Sequence, residues 1–210
     1  MNPAAEYTVI LANGAFPRRK ALLALLHGAS HIVCCDGAAA SLLRHGMTPD
    51  LVVGDLDSLD PALRKRFKAR LVYESEQETN DLSKAFRACM ARGWRNLVIL
   101  GAGGRREDHL LGNASLLPLF AAAGADVRME TDYGTFLPVL KSASFRRPVG
   151  TKLSIFSFHP DMPVTSTGLA YQLDSLRLPF WWSGTLNETV APEFSLAFDG
   201  RAPLLLYFPR

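Results

Sequence analysis

Leu97-Val98-Ile99-Leu100-Gly101-Ala102-Gly103-Gly104-Arg105-Arg106 is four apolar residues, then a glycine-rich turn, and a helix is expected to begin directly after it at about Glu107. Four consecutive apolar side chains leave neither face of a strand polar. Such a strand must be covered on both sides, which is the condition of an inner strand in a parallel sheet with helical crossovers. The same texture recurs at Thr8 to Ala12, His31 to Cys35, Leu51 to Val53, Leu71 to Tyr73 and Asp126 to Met129. Helix starts are legible between these runs. Asp60-Pro61 reads as an N-cap with proline at the first helical position, and Thr79 or Asn80 can cap a helix over Asp81 to Arg92 that stops at Gly93. A further helix should run from about Glu107 to Ala123 and close at Gly124.

Beyond Gly134 the texture changes. Residues 136–210 hold 12 of the 20 aromatic residues and 8 of the 13 prolines, in alternating segments such as Lys152 to Phe158 with no 3.6-residue period. That pattern predicts short antiparallel strands in a small sandwich. The expected fold class is therefore α/β, with an N-terminal Rossmann-like, mainly parallel sheet carrying helices on both faces (1–133) and a C-terminal antiparallel β-sandwich domain (134–210).

With 210 residues, 48% of them hydrophobic and 20% charged, the chain can bury a core of its own, which excludes a disordered tail. The 23 basic and 20 acidic residues are read as scattered along the chain, so no nucleic-acid partner is expected. Cys34, Cys35 and Cys89 have no spacing suited to zinc or a disulfide framework and are expected in the core. No apolar stretch approaches the roughly 20 residues that span a bilayer, and no leader-like segment opens the sequence. A cytoplasmic protein without a membrane partner is expected.

In a doubly wound sheet, ligands bind beyond the carboxyl ends of the strands, so the residues after each apolar run are the candidates. They are Asp36-Gly37, Gly54-Asp55-Leu56-Asp57-Ser58, Glu74-Ser75-Glu76-Gln77-Glu78 and Gly101 to His109. Asp55 and Asp57, two residues apart, would share a side if the segment were extended, and two carboxylates with substrate phosphates suffice for Mg²⁺. The same pair can instead be a turn and cap before the helix at Asp60. Asp81 and Lys84 share a face at the start of a helix, either beside a metal and a phosphate or as an ordinary surface pair. The loop at Gly101, Gly103 and Gly104 suits an anion but lacks the Lys-Ser/Thr of a P-loop, and Arg106 stands where a dinucleotide fingerprint needs glycine. Arg106 is suited to phosphate, and Asp108 and His109 beside it are candidate ligands, although a histidine there can equally be a plain helix-start residue.

In their order and spacing these segments resemble thiamine pyrophosphokinase. The family's pattern reads approximately DGgAn, GDxDS, DxxxTDxxKAl, GxxGGRxDHxLxN, then a GLxW and a GxSN segment. The last two stand here as Gly168-Leu169-Ala170-Tyr171 and Gly184-Thr185-Leu186-Asn187. The resemblance implies transfer of the pyrophosphoryl group of ATP to thiamine, giving thiamine diphosphate and AMP, in a homodimer. It implies Mg²⁺ and triphosphate on Asp55, Asp57 and Asp81, and charge neutralisation by Lys84 and Arg106. It also implies substrate contacts from Asp36, Gly37, Gln77, Gly101, Gly103, Gly104, Asp108, His109, Asn113, Tyr171, Trp182 and Asn187, with Asn113 bracing the glycine loop. Asn80 stands where threonine is usual, Arg105 where glycine is usual, Tyr171 where tryptophan is usual and Leu186 where serine is usual. The last two departures leave open another hydroxymethyl or hydroxyethyl heterocycle, pterin-like, as acceptor, and a non-catalytic thiamine diphosphate or nucleotide sensor is the further alternative. Trp181 and Trp182 suit either ring stacking or a sandwich and dimer contact.

Overall fold

The computed structural model describes residues 6–57 and 59–210. The capping and turn role expected of Ser58, and the reading of the first five residues, lie outside the described residues. The chain forms two compact units, one comprising the chain to Leu116 with Ala123–Asp132, the other Leu117–Ala122 with Tyr133–Arg210.

In the first unit, strands β1 (Thr8–Leu11), β2 (His31–Cys35), β3 (Leu51–Gly54), β4 (Leu71–Tyr73), β5 (Asn96–Leu100) and β6 (Asp126–Thr131) pair in parallel. Their order is β4-β3-β2-β1-β5-β6. The crossovers carry helices α1 (Lys20–His27), α2 (Ala38–Arg44), α3 (Pro61–Arg66), α4 (Asp81–Met90) and α5 (Glu107–Ala122). All four residues of β1 and of β3 are buried, as a strand covered on both faces requires. Val9, Leu11, Val98 and Leu100 pack with Leu22 and Leu26 of α1 and Leu42 of α2 in one cluster. Each such side chain contributes about 1.5–3 kcal/mol by leaving water.

The helix caps follow the local chemistry. Asp60 accepts the Ala62 amide at 2.7 Å ahead of Pro61, and Asn80 accepts the Ser83 amide at 3.0 Å. Helix α4 ends at Met90, two residues earlier than the sequence suggests. Its carbonyls are taken up by a turn in which Gly93 and Trp94 donate to Met90 and Cys89.

The second unit is β-rich. Strands β7 (Gly134–Val139), β9 (Lys152–Ser157), β12 (Asn187–Glu188) and β14 (Leu204–Pro209) pair antiparallel in the order β12-β9-β14-β7. Strands β8 (Ala143–Arg146), β10 (Pro163–Thr167), β11 (Leu176–Arg177) and β13 (Glu193–Ala197) form a second sheet, β11-β10-β13-β8. Alternate residues of β9, β10 and β13 are buried. Leu153, Ile155, Val164, Phe194, Leu196 and Leu206 from both sheets pack together, the interior of a sandwich. Among the described residues no helix is long and apolar enough to cross a membrane.

Candidate active site

The strand order reverses direction at β1: the chain moves outward through β2, β3 and β4, then returns to place β5 on the other side of β1. A crevice opens beyond the carboxyl ends of strands at such a switch point. Here it is a cleft of about 330 Å³ whose lining includes Asn13, Gly14, Cys35, Asn80, Asp81, Gly103, Arg106, His109 and Asn113.

Its floor is main chain. Gly14 and Ala15 donate their amides to the carbonyls of Gly101 (2.7 Å) and Gly103 (2.8 Å), knitting the loop after β1 to the loop after β5. A Cβ on Gly14 would collide with both carbonyl oxygens, so only glycine allows this approach. Behind the loop, Asn113 of α5 donates to Ala102 O at 2.8 Å and receives a bond from the Asn80 amide at 3.1 Å, tying the glycine loop to the cap of α4. A Cβ on Gly37 would lie 2.7 Å from the side-chain nitrogen of Asn13, so Gly37 makes room for that side chain.

The carboxylates gather around Gly54, at the end of β3. A Cβ there would lie 3.1 Å from the Cβ of Asp36 and 3.2 Å from Oδ1 of Asp81, so the absence of a side chain lets the two acids approach. Asp36 is buried, and Lys84 is 2% exposed, the largest fully buried side chain among the described residues. The Lys84 ammonium lies 3.8 Å from Asp81 Oδ1. An ammonium in such a place needs compensating anions. Burial pushes the Asp81 carboxyl above the usual range against the pull of Lys84, and the charges of Asp36 and Asp55 push it the same way. Asp55 is held low by the Gln77 amide, which donates to Oδ2 at 3.1 Å, and by the backbone amide of Asp57, which donates to Oδ1 at 3.1 Å.

That last bond corrects the geometry expected of Asp55 and Asp57. The segment is not extended: Leu56 takes φ +64° with its side chain buried, and the chain turns. The Asp57 carboxylate is 83% exposed and 4.0 Å from Arg64 Nη2, while Asp55 turns to Gln77. The structure thus brings together Asp36, Asp55, Asp81, Lys84 and Gln77 and leaves the Asp57 carboxylate in solvent.

Among the described residues no three acidic, histidine or cysteine side chains form a closed metal cage. Mg²⁺ takes one or two carboxylates and completes its shell with water and phosphate oxygens, and the mutually repelling Asp55 and Asp81 are a donor set that fits it. Arg106 and Asp108 form a two-pronged pair at the rim, with Nε 3.1 Å and Nη2 2.5 Å from the carboxylate, and both are exposed. The Asp108 carboxylate also accepts the His109 amide at 2.9 Å, and the His109 ring lines the cleft. Arg105, inside the candidate segment Gly101 to His109, donates to Asn13 O at 3.2 Å, and Asn13, on the loop after β1, belongs to this cleft although the sequence reading does not name it. The signal was available, since Asn13-Gly14 directly follows the first apolar run.

In the second unit, Tyr171, Phe180 and Trp182 are 70%, 60% and 73% exposed, and the last two rings stack at 6.1 Å. Trp181 packs edge-on against Phe156 and Phe158. Asn187 is buried, and its amide is spent on backbone. It accepts from the amides of Tyr171 (3.1 Å) and Glu188 (2.9 Å) and donates to Tyr171 O at 2.8 Å. It fixes the Tyr171 backbone.

Comparison with known proteins agrees across the chain. The family model described as "Thiamin pyrophosphokinase, catalytic domain" matches residues 22–129, and "Thiamin pyrophosphokinase, substrate-binding domain" matches residues 134–207. Thiamine pyrophosphokinase 1 of Oryza sativa subsp. japonica is 29% identical over 213 residues, covering 84% of this chain and 77% of that protein. Thiamine pyrophosphokinase of Bacillus subtilis (strain 168) is 34% identical over 86 residues, 39% of this chain and 40% of that one. In fold, the crystal structure of the Bacillus subtilis thiamine pyrophosphokinase superposes with a TM-score of 0.77 at 22% identity, covering 97% of this chain and 99% of that one. The yeast thiamin pyrophosphokinase superposes at 0.78 with 15% identity, covering 99% and 87%. With its family models spanning both the α/β and the β-rich parts, the chain belongs to the thiamin pyrophosphokinase family.

Proposed function

We propose that this protein transfers the pyrophosphoryl group of ATP to thiamine, forming thiamine diphosphate and AMP, with Mg²⁺ as the divalent ion. The observation that carries the reading is a fully buried ammonium, Lys84, set among Asp36, Asp55 and Asp81 at the switch point of the sheet, in a chain of this family. Pyrophosphoryl transfer needs little covalent help from a protein; it needs positioning and charge stabilisation.

Asp55 and Asp81 would hold Mg²⁺, joined by Asp57 from the same loop as Asp55. Bound there with the triphosphate, the ion would neutralise charge on the phosphate oxygens. Lys84, fixed from below, supplies positive charge without side-chain ordering at the moment of reaction. Arg106 is a second cation, which exchanges Asp108 for phosphate. The thiamine hydroxyl oxygen attacks the β-phosphorus, and the bond from that phosphorus to the α,β-bridging oxygen breaks, releasing AMP. The hydroxyl proton passes to a carboxylate, Asp57 or Asp81. Gly101, Gly103, Gly104 and Asn113 shape the loop over the phosphates, with His109 and Asp108 at the rim and Asp36 and Gly37 beside Gly54.

For thiamine, the exposed rings of Tyr171 and Trp182 are suited to a thiazolium cation, and the Tyr171 backbone is fixed by Asn187. The same exposed aromatic surface supports a homodimer. Three free, buried cysteines suit the reducing cytoplasm. The test is purified protein with MgATP and thiamine, assayed for products. AMP and thiamine diphosphate are expected; ADP with thiamine monophosphate would overturn the reading.

A further inference from the structure

The connection between β4 and α4 (74–80) carries Gln77, which is exposed and donates to Asp55. Its stiffness comes from one side chain further along α4. Arg87 places Nη2 2.5 Å from Glu74 and 2.7 Å from Glu76, and its Nη1 donates to the Thr79 hydroxyl at 3.2 Å. Glu76 passes the restraint on. Its Oε2 accepts the backbone amides of Glu78 (2.9 Å) and Thr79 (3.0 Å), and its Oε1 accepts the Thr79 hydroxyl. Gln77 therefore sits between Glu76, which Arg87 holds, and the main-chain amides of Glu78 and Thr79, which Glu76 binds.

A single exposed ion pair contributes little, because its side chains must be ordered to make it. A planar guanidinium bridging three acceptors at once is different in kind, since its fork imposes directions that an ammonium would not. Such a clasp is of small use to global stability at this half-exposed site, but it defines where the Gln77 amide stands.

We infer that Arg87 is a positioning residue for the metal-side carboxylate, holding the 74–80 connection so that Gln77 orients Asp55. This rests on the proposed reading in which Asp55 serves Mg²⁺. The competing account is that Arg87 only stiffens the entry to α4.

A double-mutant cycle on the full chain separates the two. Arg87→Ala should lower kcat about tenfold and raise the Mg²⁺ concentration for half-maximal rate, with the thiamine KM unchanged. Gln77→Ala should do the same, and the double variant should be no worse than Gln77→Ala alone, because the second change acts through the first. Independent effects that multiply in the double variant, or an unchanged kcat in Arg87→Ala, would overturn the inference. A second readout needs no turnover: amide exchange at Glu78 and Thr79 should speed up in Arg87→Ala by about tenfold or more. Unchanged exchange would show that no clasp exists. A wild-type protein that forms no thiamine diphosphate would instead overturn the functional reading, leaving the exchange result to decide the clasp.

Discussion

Lys84 shows why one residue could be named from sequence and its setting could not. Three positions after Asp81 at a helix start, it reads equally as a surface pair, because lysine is almost never fully buried. Its burial follows from the crossover that tucks the first turn of α4 against the carboxylates around Gly54. Lys84→Met keeps the aliphatic stem in place, and activity should fall by about 10²-fold or more while the fold persists. Its stability should also change its pH dependence. A carboxyl whose folded pKa lies above its unfolded value favours the folded state below the unfolded pKa and loses that contribution as pH rises through the folded one. Lys84 restrains the upward shift of Asp81, so in Lys84→Met the Tm should decline more steeply as pH rises above about 4 than in the wild type. Parallel Tm–pH curves would refute this. Asp57 is the opposite case: named from spacing, it stands in solvent, because a buried Leu56 at positive φ is not something a leucine announces. Asp57→Asn should still lower kcat about 10²-fold with the Tm unchanged if its carboxylate turns to the metal on loading; full activity would make it a turn residue.

Among the elements, the parallel strands were legible because a run apolar on both faces has few other uses, and α5 because a long segment between Arg106 and Gly124 has room for little else. Two-residue strands such as β11 and β12 carry no period to read, and the tight turn at Trp181–Gly184 is set by tertiary packing. The loop after β1 followed the same strand-end rule as the others and was reachable by it. Its contact with the glycine loop depends on a single missing Cβ. Gly14→Ala should force the two loops apart and raise the KM for ATP by about tenfold or more, with a smaller effect on thiamine. Equal kinetics would show that the loops separate without cost.

For the whole molecule, the exposed Tyr171, Phe180 and Trp182 are more apolar surface than isolated side chains account for. A two-fold dimer is expected, and light scattering at micromolar concentration should give twice the 23.0 kDa chain mass. A monomer would refute it. Tyr171→Ala and Trp182→Ala should raise the thiamine KM much more than the ATP KM, and an equal rise in both would assign these rings to packing. The α/β and β-sandwich organisation was visible in the switch from buried runs to alternation and proline. The acceptor-side geometry was not, because the backbone bonds by which Asn187 holds Tyr171 follow from tertiary structure and have no sequence signal.

The main-chain floor of the cleft has a consequence for redesign. Peptide groups are the same whatever the side chain, so a library that randomises Gly14, Gly101 and Gly103 explores only ways of breaking the pocket. Changes of donor preference are to be sought at the rim, in Arg106 and His109, where substitution alters charge and shape while the knitted loops stay as they are.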